Sequence, residues 1–211
     1  MVKPKFKNID DFLDYVGGND DAKYFISQYP QIGIDSLKAF KRKYYEDRPL
    51  GAKFSERVFS YWLYKEVEEF SPTIERQKKL EIKLPLEPSG VSENEVNIKK
   101  TPDLYLQYNN RKILVEFKTN IDMVEKDLYK FCLYKEYGDS DKEVLFFIWE
   151  REDNRFYKRG KRPESQYHSM LRLAVDDSVI DEFVYFPIAE ELDEEVLNDA
   201  LEKLRSFLVN I

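Results

Sequence analysis

The chain has 211 residues, of which 42% are hydrophobic and 36% charged, and this composition indicates a globular protein rather than a disordered one. Its net charge of −7 and pI of about 5.1 argue against a protein that coats nucleic acid through its overall charge. A nuclease with a local basic track stays compatible with this total, because contact depends on the local field.

The sequence contains no feature of a membrane or secreted protein. No run approaches the length of about eighteen apolar residues that a membrane span requires, and the segment MVKPKFKNIDD lacks the apolar core of a signal peptide. The single cysteine, Cys132, excludes an internal disulfide and is expected to be a buried thiol. We therefore expect an intracellular, cytoplasmic protein without a membrane partner.

The first half of the chain is predicted to be helical and then to enter a sheet. Short helices are expected over residues 9–46, because glycine and proline interrupt the apolar pattern there. A longer helix is predicted from Ser55, as its N-cap, to Glu69. Alternation of leucine or isoleucine with charges in KKLEIKLPL, residues 78–86, indicates a strand, and EPSGVSEN indicates a loop after it.

The second half alternates strands with helices. A hairpin over residues 101–119 precedes an amphipathic helix over 121–137 and the continuous apolar run EVLFFIW, 143–149, which is typical of a strand buried on both faces. A strand, FVYFPI at 183–188, and an amphipathic helix from Glu190 to Leu208 complete the pattern. The pattern predicts a single α/β domain with a mixed central sheet flanked by helices.

The turn of the hairpin sets its register. Asn109–Asn110 predict a two-residue type I′ turn, since asparagine tolerates the positive φ required at both positions. This register places Leu104 opposite Val115 and, one step further out, Asp103 opposite Glu116. The two carboxylates are therefore expected to face each other.

An opposed pair of carboxylates needs a compensating charge. Because side chains alternate along a strand, Lys118 falls on the same face as Asp103 and Glu116, while the opposite face is apolar. Mg²⁺ commonly binds through one or two carboxylates together with water and phosphate oxygens, so a divalent cation would offset the repulsion. The alternative is a solvated strand face with alternating charges.

These residues resemble a known motif. Pro102-Asp103 followed by Glu116-Phe117-Lys118 is similar to the PD-(D/E)xK signature of restriction-endonuclease-like nucleases. The order of helix, strands, hairpin, helix and strand over roughly residues 53–150 also resembles the core of that superfamily. The resemblance implies a nuclease core at 53–150, a helical N-terminal elaboration at 1–52, and a basic loop, strand and closing helix at 151–211.

The resemblance also implies roles for individual residues. Asp103 and Glu116 would ligate one or two Mg²⁺ ions, for which Mn²⁺ would substitute, and the backbone carbonyl of Phe117 would be a further ligand. Lys118 would position or help to deprotonate the attacking water and hold the phosphate. These groups fit phosphodiester hydrolysis, because a metal lowers the pKa of bound water and stabilises charge on the phosphorane oxygens.

A third acid is expected from the preceding helix. Glu56 projects onto the apolar stripe of that helix, where a carboxylate is costly unless it is paired or binds a metal. The segment from Gly51 to Arg57 resembles the glutamate-bearing first helix of archaeal Holliday-junction resolvases, which implies that Glu56 joins the metal site and that Arg57 contacts phosphate. The alternative for Glu56 is an acid that favours the first helical turn through the macrodipole.

Lysines and arginines supply candidate contacts to nucleic acid. KDLYKFCLY, residues 126–134, resembles a segment that carries a glutamine and a tyrosine in RecB-like nucleases, where this chain has Asp127 and Phe131. Lys126 and Lys130 are candidates to face substrate, with solvated surface as the alternative. The densest basic stretch predicts a substrate track, unless it is an ordinary charged loop, and includes Arg155, Lys158, Arg159, Lys161 and Arg162.

These observations favour a Mg²⁺-dependent endodeoxyribonuclease that acts on duplex or branched DNA, with a site of Glu56, Asp103, Glu116 and Lys118. The first-helix resemblance favours a junction-resolvase-like enzyme over a restriction-like one, and a homodimer is expected because two sites would cut two strands. Two alternatives are an RNA endonuclease on the same scaffold and a catalytically weak nucleic-acid-binding protein. The only histidine, His168, is expected to be structural or exposed.

Overall fold

The fold is described from a computed structural model of the chain. The structure describes residues 6–46, 52–76, 78–85, 95–119, 124–138, 141–149, 164–186 and 194–209. Within these ranges the chain forms a mixed five-stranded sheet, a separate two-stranded sheet and seven α-helices, so it is an α/β protein. No helix in the described ranges is long and apolar enough to cross a bilayer.

Four α-helices precede the first strand in the described part of the chain. Asn8 and Asn19 cap two of them, since each side chain accepts a hydrogen bond from a backbone N–H in the first turn. Gly17 ends the first helix at a φ of 95°, a left-handed conformation that favours glycine. The helices are α1 (Ile9–Val16), α2 (Asp20–Gln28), α3 (Ile34–Glu46) and α4 (Ala52–Val67).

The main sheet combines an antiparallel half with a parallel half. Its strands, in spatial order, are β1 (Thr73–Arg76), β4 (Leu104–Tyr108), β5 (Arg111–Lys118), β6 (Glu143–Trp149) and β7 (Glu182–Phe186). The first two pairings are antiparallel and the last two are parallel. The parallel strands are joined through helices α5 (Val124–Tyr137) and α6 (Glu164–Asp176), as parallel connections require.

The predicted strand in residues 78–86 belongs to a second, smaller sheet. It forms β2 (Leu80–Pro85), which pairs antiparallel with β3 (Glu95–Lys100). The predicted loop EPSGVSEN, at 87–94, lies outside the described residues. Backbone bridging between Ile82 and Gly138, together with contacts between β2 and α5, attaches the small sheet to the helix that covers the main one.

Helices cover both faces of the main sheet. Along β5, Ile113 and Val115 belong to one apolar cluster while Leu114 belongs to another, as the alternation of side chains requires. The first cluster contains side chains of α1–α4 and of the C-terminal helix α7 (Glu194–Val209), and the second contains those of α5 and α6. The sheet is therefore the middle layer of a three-layer domain, consistent with the run EVLFFIW being buried on both faces.

The predicted hairpin is present in the predicted register. Asn109 and Asn110 have φ values of 46° and 64°, as a type I′ turn requires, and Leu104 pairs with Val115. The ladder ends at that pair, so Asp103 lies one residue before β4 and is not a ladder partner of Glu116.

Two local expectations are wrong, and one helix had no expectation. Ser55 is not an N-cap, because α4 begins at Ala52 and buries Ser55 within the helix; Glu56 is then not a first-turn acid. Cys132 is exposed, because the buried stripe of α5 is formed by Val124, Leu128, Phe131 and Tyr134, which leaves Cys132 outside it. Helix α6 was not expected, and its buried residues Tyr167, Leu171 and Ala174 have helical spacing.

Candidate active site

Asp103 joins the two strands of the hairpin at its open end. Its Oδ2 accepts a hydrogen bond of 2.9 Å from the backbone N–H of Phe117. The carboxylate thus takes the place of the main-chain carbonyl that a continued ladder would supply to this N–H. This bond fixes the Asp103 carboxyl group beside the last residues of β5, which include Glu116 and Lys118.

Glu116 is buried between two lysines. Its side chain is only 5% exposed, and its two oxygens accept from different ammonium groups. Lys118 Nζ lies 2.7 Å from Oε1, and Lys130 Nζ lies 2.6 Å from Oε2. A carboxylate with both oxygens bound in this way satisfies the requirement that a buried charge be paired.

Asp127 closes these contacts into a ring. Its Oδ2 lies 2.9 Å from Lys118 Nζ, and its Oδ1 lies 3.1 Å from Lys130 Nζ. Glu116, Lys118, Asp127 and Lys130 therefore form a closed ring of alternating charges, which we call the charge ring. Two members are on β5 and two are on α5, because the parallel connection lays that helix across the strand.

Asp103 adds a negative charge to a ring that is already neutral. Burial raises the pKa of Asp103, and Lys118 and the Phe117 N–H only partly oppose that effect. Burial, followed by the charge of Asp103, likewise raises the pKa of Glu116 despite its two lysines. The surroundings of both carboxylates thus disfavour their charged forms. An added cation would stabilise those charged forms.

Lys118 and Asp127, by contrast, are stabilised in their charged forms. Burial by itself lowers the pKa of Lys118, but its ion pairs with Glu116 and Asp127 outweigh burial and raise that pKa. Burial by itself raises the pKa of Asp127, but its hydrogen bonds and charge pairing with Lys118 and Lys130 lower it. Its surroundings therefore favour Lys118 as an ammonium group, which donates hydrogen bonds.

The donor set fits a hard divalent cation in chemistry and in number. No group of three or more His, Cys, Asp or Glu side chains in the described ranges is arranged as a metal site. Mg²⁺, however, usually takes one or two carboxylates and completes its shell with water and phosphate oxygens, so Asp103 and Glu116 suffice. Asp103 Oδ1 has no hydrogen-bond partner among the described residues, and each Glu116 oxygen retains a second lone pair. The expected role of the Phe117 carbonyl stays a prediction.

Glu56 lies in an arginine clamp near this group. Its Oε2 accepts from Arg76 Nη2 at 2.9 Å and from Arg57 Nη1 at 3.2 Å. The charge of Glu56 contributes to the raised pKa of Asp103, so the two carboxylates interact electrostatically. The arginines themselves are tied to α1, through Val16 O and Gly17 O.

The residues expected to contact nucleic acid differ in how exposed they are. Arg57 is 3% exposed, and its guanidinium contacts Glu56, so it is a buried cation and not a surface one. Lys126 is exposed on α5, whereas Lys130 is buried in the charge ring, which excludes the solvated-surface alternative for Lys130. Arg155, Lys158, Arg159, Lys161 and Arg162 lie outside the described residues. His168 is partly buried, with its ring edge-on at 4.5 Å from that of Tyr185.

Asp127 is the site residue that reasoning from sequence missed. At about 100° per residue, it projects between Phe131 and Tyr134, within the apolar stripe of α5. A carboxylate on that stripe is costly unless paired, and Lys130, three residues later, is near enough on a helix to pair with it. The i, i+3 spacing of Asp127 and Lys130 on this stripe is the sequence pattern that indicates the pair.

The comparisons with known proteins do not assign the chain to a family. No model of a protein family matches it, and no curated protein matches it significantly. Among solved structures it is similar to protein VC1899 from Vibrio cholerae, with a TM-score of 0.38 and 12% sequence identity. The match covers 94% of this chain and 53% of VC1899, so the chain spans about half the length of that protein.

Proposed function

We propose that the chain is a divalent-metal-dependent endonuclease that hydrolyses DNA phosphodiester bonds on a restriction-endonuclease-like core. The observation that carries this proposal is the pair of the partly buried Asp103 and the buried Glu116, both with raised pKa values and both beside the Lys118 ammonium group. A cation would offset the excess negative charge of these two carboxylates, and the Lys118 ammonium group would donate a hydrogen bond to a phosphate oxygen.

Asp103 and Glu116 are the residues that would hold Mg²⁺, or Mn²⁺ in its place. When bound, the ion supplies Lewis-acid stabilisation of phosphate oxygens and lowers the pKa of a water molecule. The Asp103 carboxylate is fixed through its 2.9 Å bond from Phe117 N–H, which leaves Oδ1 as its ligating atom. Glu116 contributes through whichever lone pairs its lysines do not use.

Lys118 has an electrostatic role in this proposal. Because its pKa is raised, it stays protonated, so it binds a phosphate oxygen and stabilises charge there instead of removing a proton from water. Asp127 holds the same ammonium group from the side of α5, at 2.9 Å. Lys118 can therefore turn from Glu116 toward a phosphate while it stays anchored to Asp127.

Several finer expectations belong to the same proposal. Glu56 would be a third acid near the metal, and its electrostatic effect on Asp103 supports that position. A junction-resolvase-like or restriction-like enzyme would act as a homodimer so that two sites cut two strands.

A cleavage assay tests the proposal. Plasmid, four-way-junction DNA and RNA are incubated with the wild-type protein in Mg²⁺, in Mn²⁺ or in EDTA. We expect metal-dependent cutting of DNA that Asp103→Asn and Lys118→Gln each reduce by a factor of about 100 or more. Lys23→Gln is the matched control, because Lys23 lies on α2 in an exposed pair with Asp10.

Three results would contradict this assignment. Equal cleavage by wild type and both site variants would show that the activity belongs to another site or to a contaminant. Cutting confined to RNA would establish the RNA endonuclease instead. Binding of nucleic acid without cutting in either metal would establish the weakly catalytic binding protein.

A further inference from the structure

Lys130 is a buried lysine of α5 whose ammonium group contacts two carboxylates. Its side chain is 8% exposed, and Nζ lies 2.6 Å from Glu116 Oε2 and 3.1 Å from Asp127 Oδ1. The centre of the Phe131 ring lies 4.7 Å from the same Nζ. Lysine is almost never this buried unless it is paired, so these contacts account for its position. At this depth Lys130 acts on carboxylates of the protein and not on a phosphate at the surface.

Lys130 and a divalent cation have the same preferred partner. Glu116 is one of the two carboxylates that fit Mg²⁺, and Lys130 holds one of its oxygens while Lys118 holds the other at 2.7 Å. Mg²⁺ demands nearly ideal octahedral geometry from its ligands. A carboxylate that is fixed at both oxygens adjusts poorly to that demand. Glu116 can therefore turn to the ion only as far as the two lysines release it.

The two lysines differ in where their charge goes once Glu116 binds an ion. Lys118 is the less buried of the two, and in the proposed function it turns to a phosphate while Asp127 holds it. Lys130 keeps its own contact with Asp127, so its ammonium group stays inside the protein near the ion. Like charges that are both out of water repel strongly, because little solvent screens them. Lys130 is thus the member of the charge ring that opposes the ion most persistently.

The balance of charge leads to the same conclusion. Asp103, Glu116 and Asp127 carry three negative charges when ionised, and two ammonium groups offset two of them. One negative charge is left over. Without Lys130 two would be left over, which equals the charge of one Mg²⁺ ion. In the metal-free protein Lys130 therefore supplies half of the positive charge that the ion would supply.

We propose that Lys130 is an internal competitor of the metal ion, whose ammonium group neutralises Glu116 in the metal-free protein and lowers the affinity of the site for Mg²⁺. The inference rests on the proposed metal-dependent nuclease, because it concerns the metal of that site. It makes Lys130 a positioning residue for Glu116 and not a contact to nucleic acid. The metal-free protein is stabilised by this pair, and it binds the ion less tightly as a result.

Replacement of Lys130 by methionine tests the competition. Methionine is unbranched and flexible, so it fills the place of the lysine stem without the charge. Titration calorimetry at about pH 8, well above the ordinary pKa of carboxylates, measures the Kd for Mg²⁺. We expect Lys130→Met to bind Mg²⁺ at least about tenfold more tightly than wild type, because a repelling charge is gone. Lys130→Arg, which keeps the charge, should bind no more tightly than wild type.

Lys135→Met is the matched control. Lys135 lies on the same helix and pairs with Asp181 instead of Glu116, at 3.4 Å. The variant removes one positive charge from α5, as Lys130→Met does. We expect its Kd for Mg²⁺ to equal that of wild type. An equal gain of affinity in both variants would show an effect of net charge alone and would overturn the proposal.

Unfolding in urea separates competition from a purely structural ion pair. We expect Lys130→Met to be less stable than wild type in EDTA, because Glu116 loses one of its two partners. Mg²⁺ at a fixed concentration should then stabilise Lys130→Met more than wild type, since this stabilisation grows with affinity. An equal loss of stability in EDTA and in Mg²⁺, with an unchanged Kd, would overturn the proposal.

A measurement on wild type decides the matter if Lys130→Met does not fold. The NMR signal of the Lys130 ammonium group, in isotope-labelled lysine, is assigned by its loss in Lys130→Arg. We expect titration with Mg²⁺ to shift or broaden this signal. The signal of Lys142, which is buried beside Tyr134, should stay unchanged. Saturation with Mg²⁺ that leaves the Lys130 signal unchanged would overturn the proposal.

The outcomes distinguish this inference from the proposed function. An unchanged Kd in Lys130→Met, with metal-dependent cleavage by wild type, would overturn the inference and leave the nuclease standing. Tighter Mg²⁺ binding in Lys130→Met, without any cleavage by wild type, would support the competition and refute the nuclease. Absence of Mg²⁺ binding in wild type and in Lys130→Met would overturn both.

Discussion

Lys118 and Asp127 form an ion pair of 2.9 Å that links β5 to α5. Without Asp127, Lys118 would be held by Glu116 alone, and any cation at Glu116 would compete with that contact. In the proposed nuclease the pair would separate two requirements, a carboxylate for the cation and a carboxylate for the lysine. Asp127 would then be a positioning residue for Lys118.

We predict that Asp127→Asn shifts the pH dependence of cleavage. The charge of Asp127 helps to raise the pKa of Lys118, so its removal lowers that pKa and moves the alkaline limb of the pH–rate profile to lower pH. We expect kcat to fall about tenfold, less than in Lys118→Gln. An unchanged profile would reduce Asp127 to a purely structural contact. Asp199→Asn, which removes an exposed carboxylate of α7, is the control.

Asp127→Asn should be less stable than wild type at neutral pH, and this difference should shrink as the pH falls. The pKa of Asp127 is lowered from 3.8, so its contribution to folding is present above that value and is lost as pH falls through the folded pKa. We expect Asp127→Asn to cost about 1–3 kcal/mol near neutral pH, and the difference from wild type to shrink in acid. Urea unfolding at several pH values measures this.

Asp103→Asn should have the opposite effect on the metal-free protein. The pKa of Asp103 is raised from 3.8, so the folded state holds its proton more tightly than the unfolded chain and loses stability as pH rises from that value. Asparagine can still accept from the Phe117 N–H without the charge. We expect a gain on the order of 1 kcal/mol at neutral pH in EDTA, measured by urea unfolding.

Added Mg²⁺ should make the wild type more stable than Asp103→Asn, the reverse of the order in EDTA. A ligand that binds only the folded state at tenfold excess over its Kd stabilises it by about 1.4 kcal/mol. We expect Mg²⁺ to raise the Tm of wild type and not that of Asp103→Asn, and metal binding to weaken as pH falls. A Tm increase of equal size in both proteins would show that the ion binds elsewhere.

Glu56→Gln tests the third acid. The charge of Glu56 contributes to the raised pKa of Asp103, so its loss should lower that pKa and move the acid limb of the pH–rate profile to lower pH. We expect Mg²⁺ affinity, measured by titration calorimetry, to fall about tenfold while the protein stays folded. Arg76→Gln, which removes one of the two arginines that hold Glu56 and leaves the Glu56 carboxylate in place, is the comparison variant. Unchanged affinity and kinetics in Glu56→Gln would remove it from the site.

The turn that sets the hairpin register should be sensitive to the side chain at Asn110. Its φ of 64° is left-handed, where alanine is disfavoured by about 1–2 kcal/mol and glycine is not. We expect Asn110→Ala to lower the free energy of unfolding by about 1 kcal/mol and Asn110→Gly to be nearly neutral. Equal loss in both would show that the asparagine side chain, not its backbone, stabilises the turn.

The hairpin and the strand EVLFFIW were predictable because their signals are local. A two-residue turn of asparagines fixes the register of a hairpin, and a run of six apolar residues between polar ones indicates a buried strand. Neither signal depends on which elements pack against it. β1 and β3 lacked such signals, since β1 has four residues and β3, EVNIKK, is mostly polar. Their pairing depends on neighbours that sequence spacing does not identify.

The charge ring depends on a contact between elements. Lys130 and Asp127 meet Lys118 and Glu116 only because α5 crosses β5 at one particular position, and periodicity does not specify that position. The same limit explains Cys132, whose exposure follows from which side of α5 faces the sheet. The start of α4 was misplaced for a different reason: a serine suited to capping lies inside a helix whose packing overrides that preference.

β5 is the third of five strands, and its residues 113–115 pair with neighbouring strands on both sides. The backbone amides of these three residues should therefore be among the slowest in the molecule to exchange with deuterium, since they open only when the whole sheet separates. Glu116 and Lys118 lie just beyond this segment, where β5 pairs with β6 alone and the Asp103 side chain replaces the β4 ladder. Mild denaturant should therefore loosen the backbone around these two residues before the centre of the sheet opens.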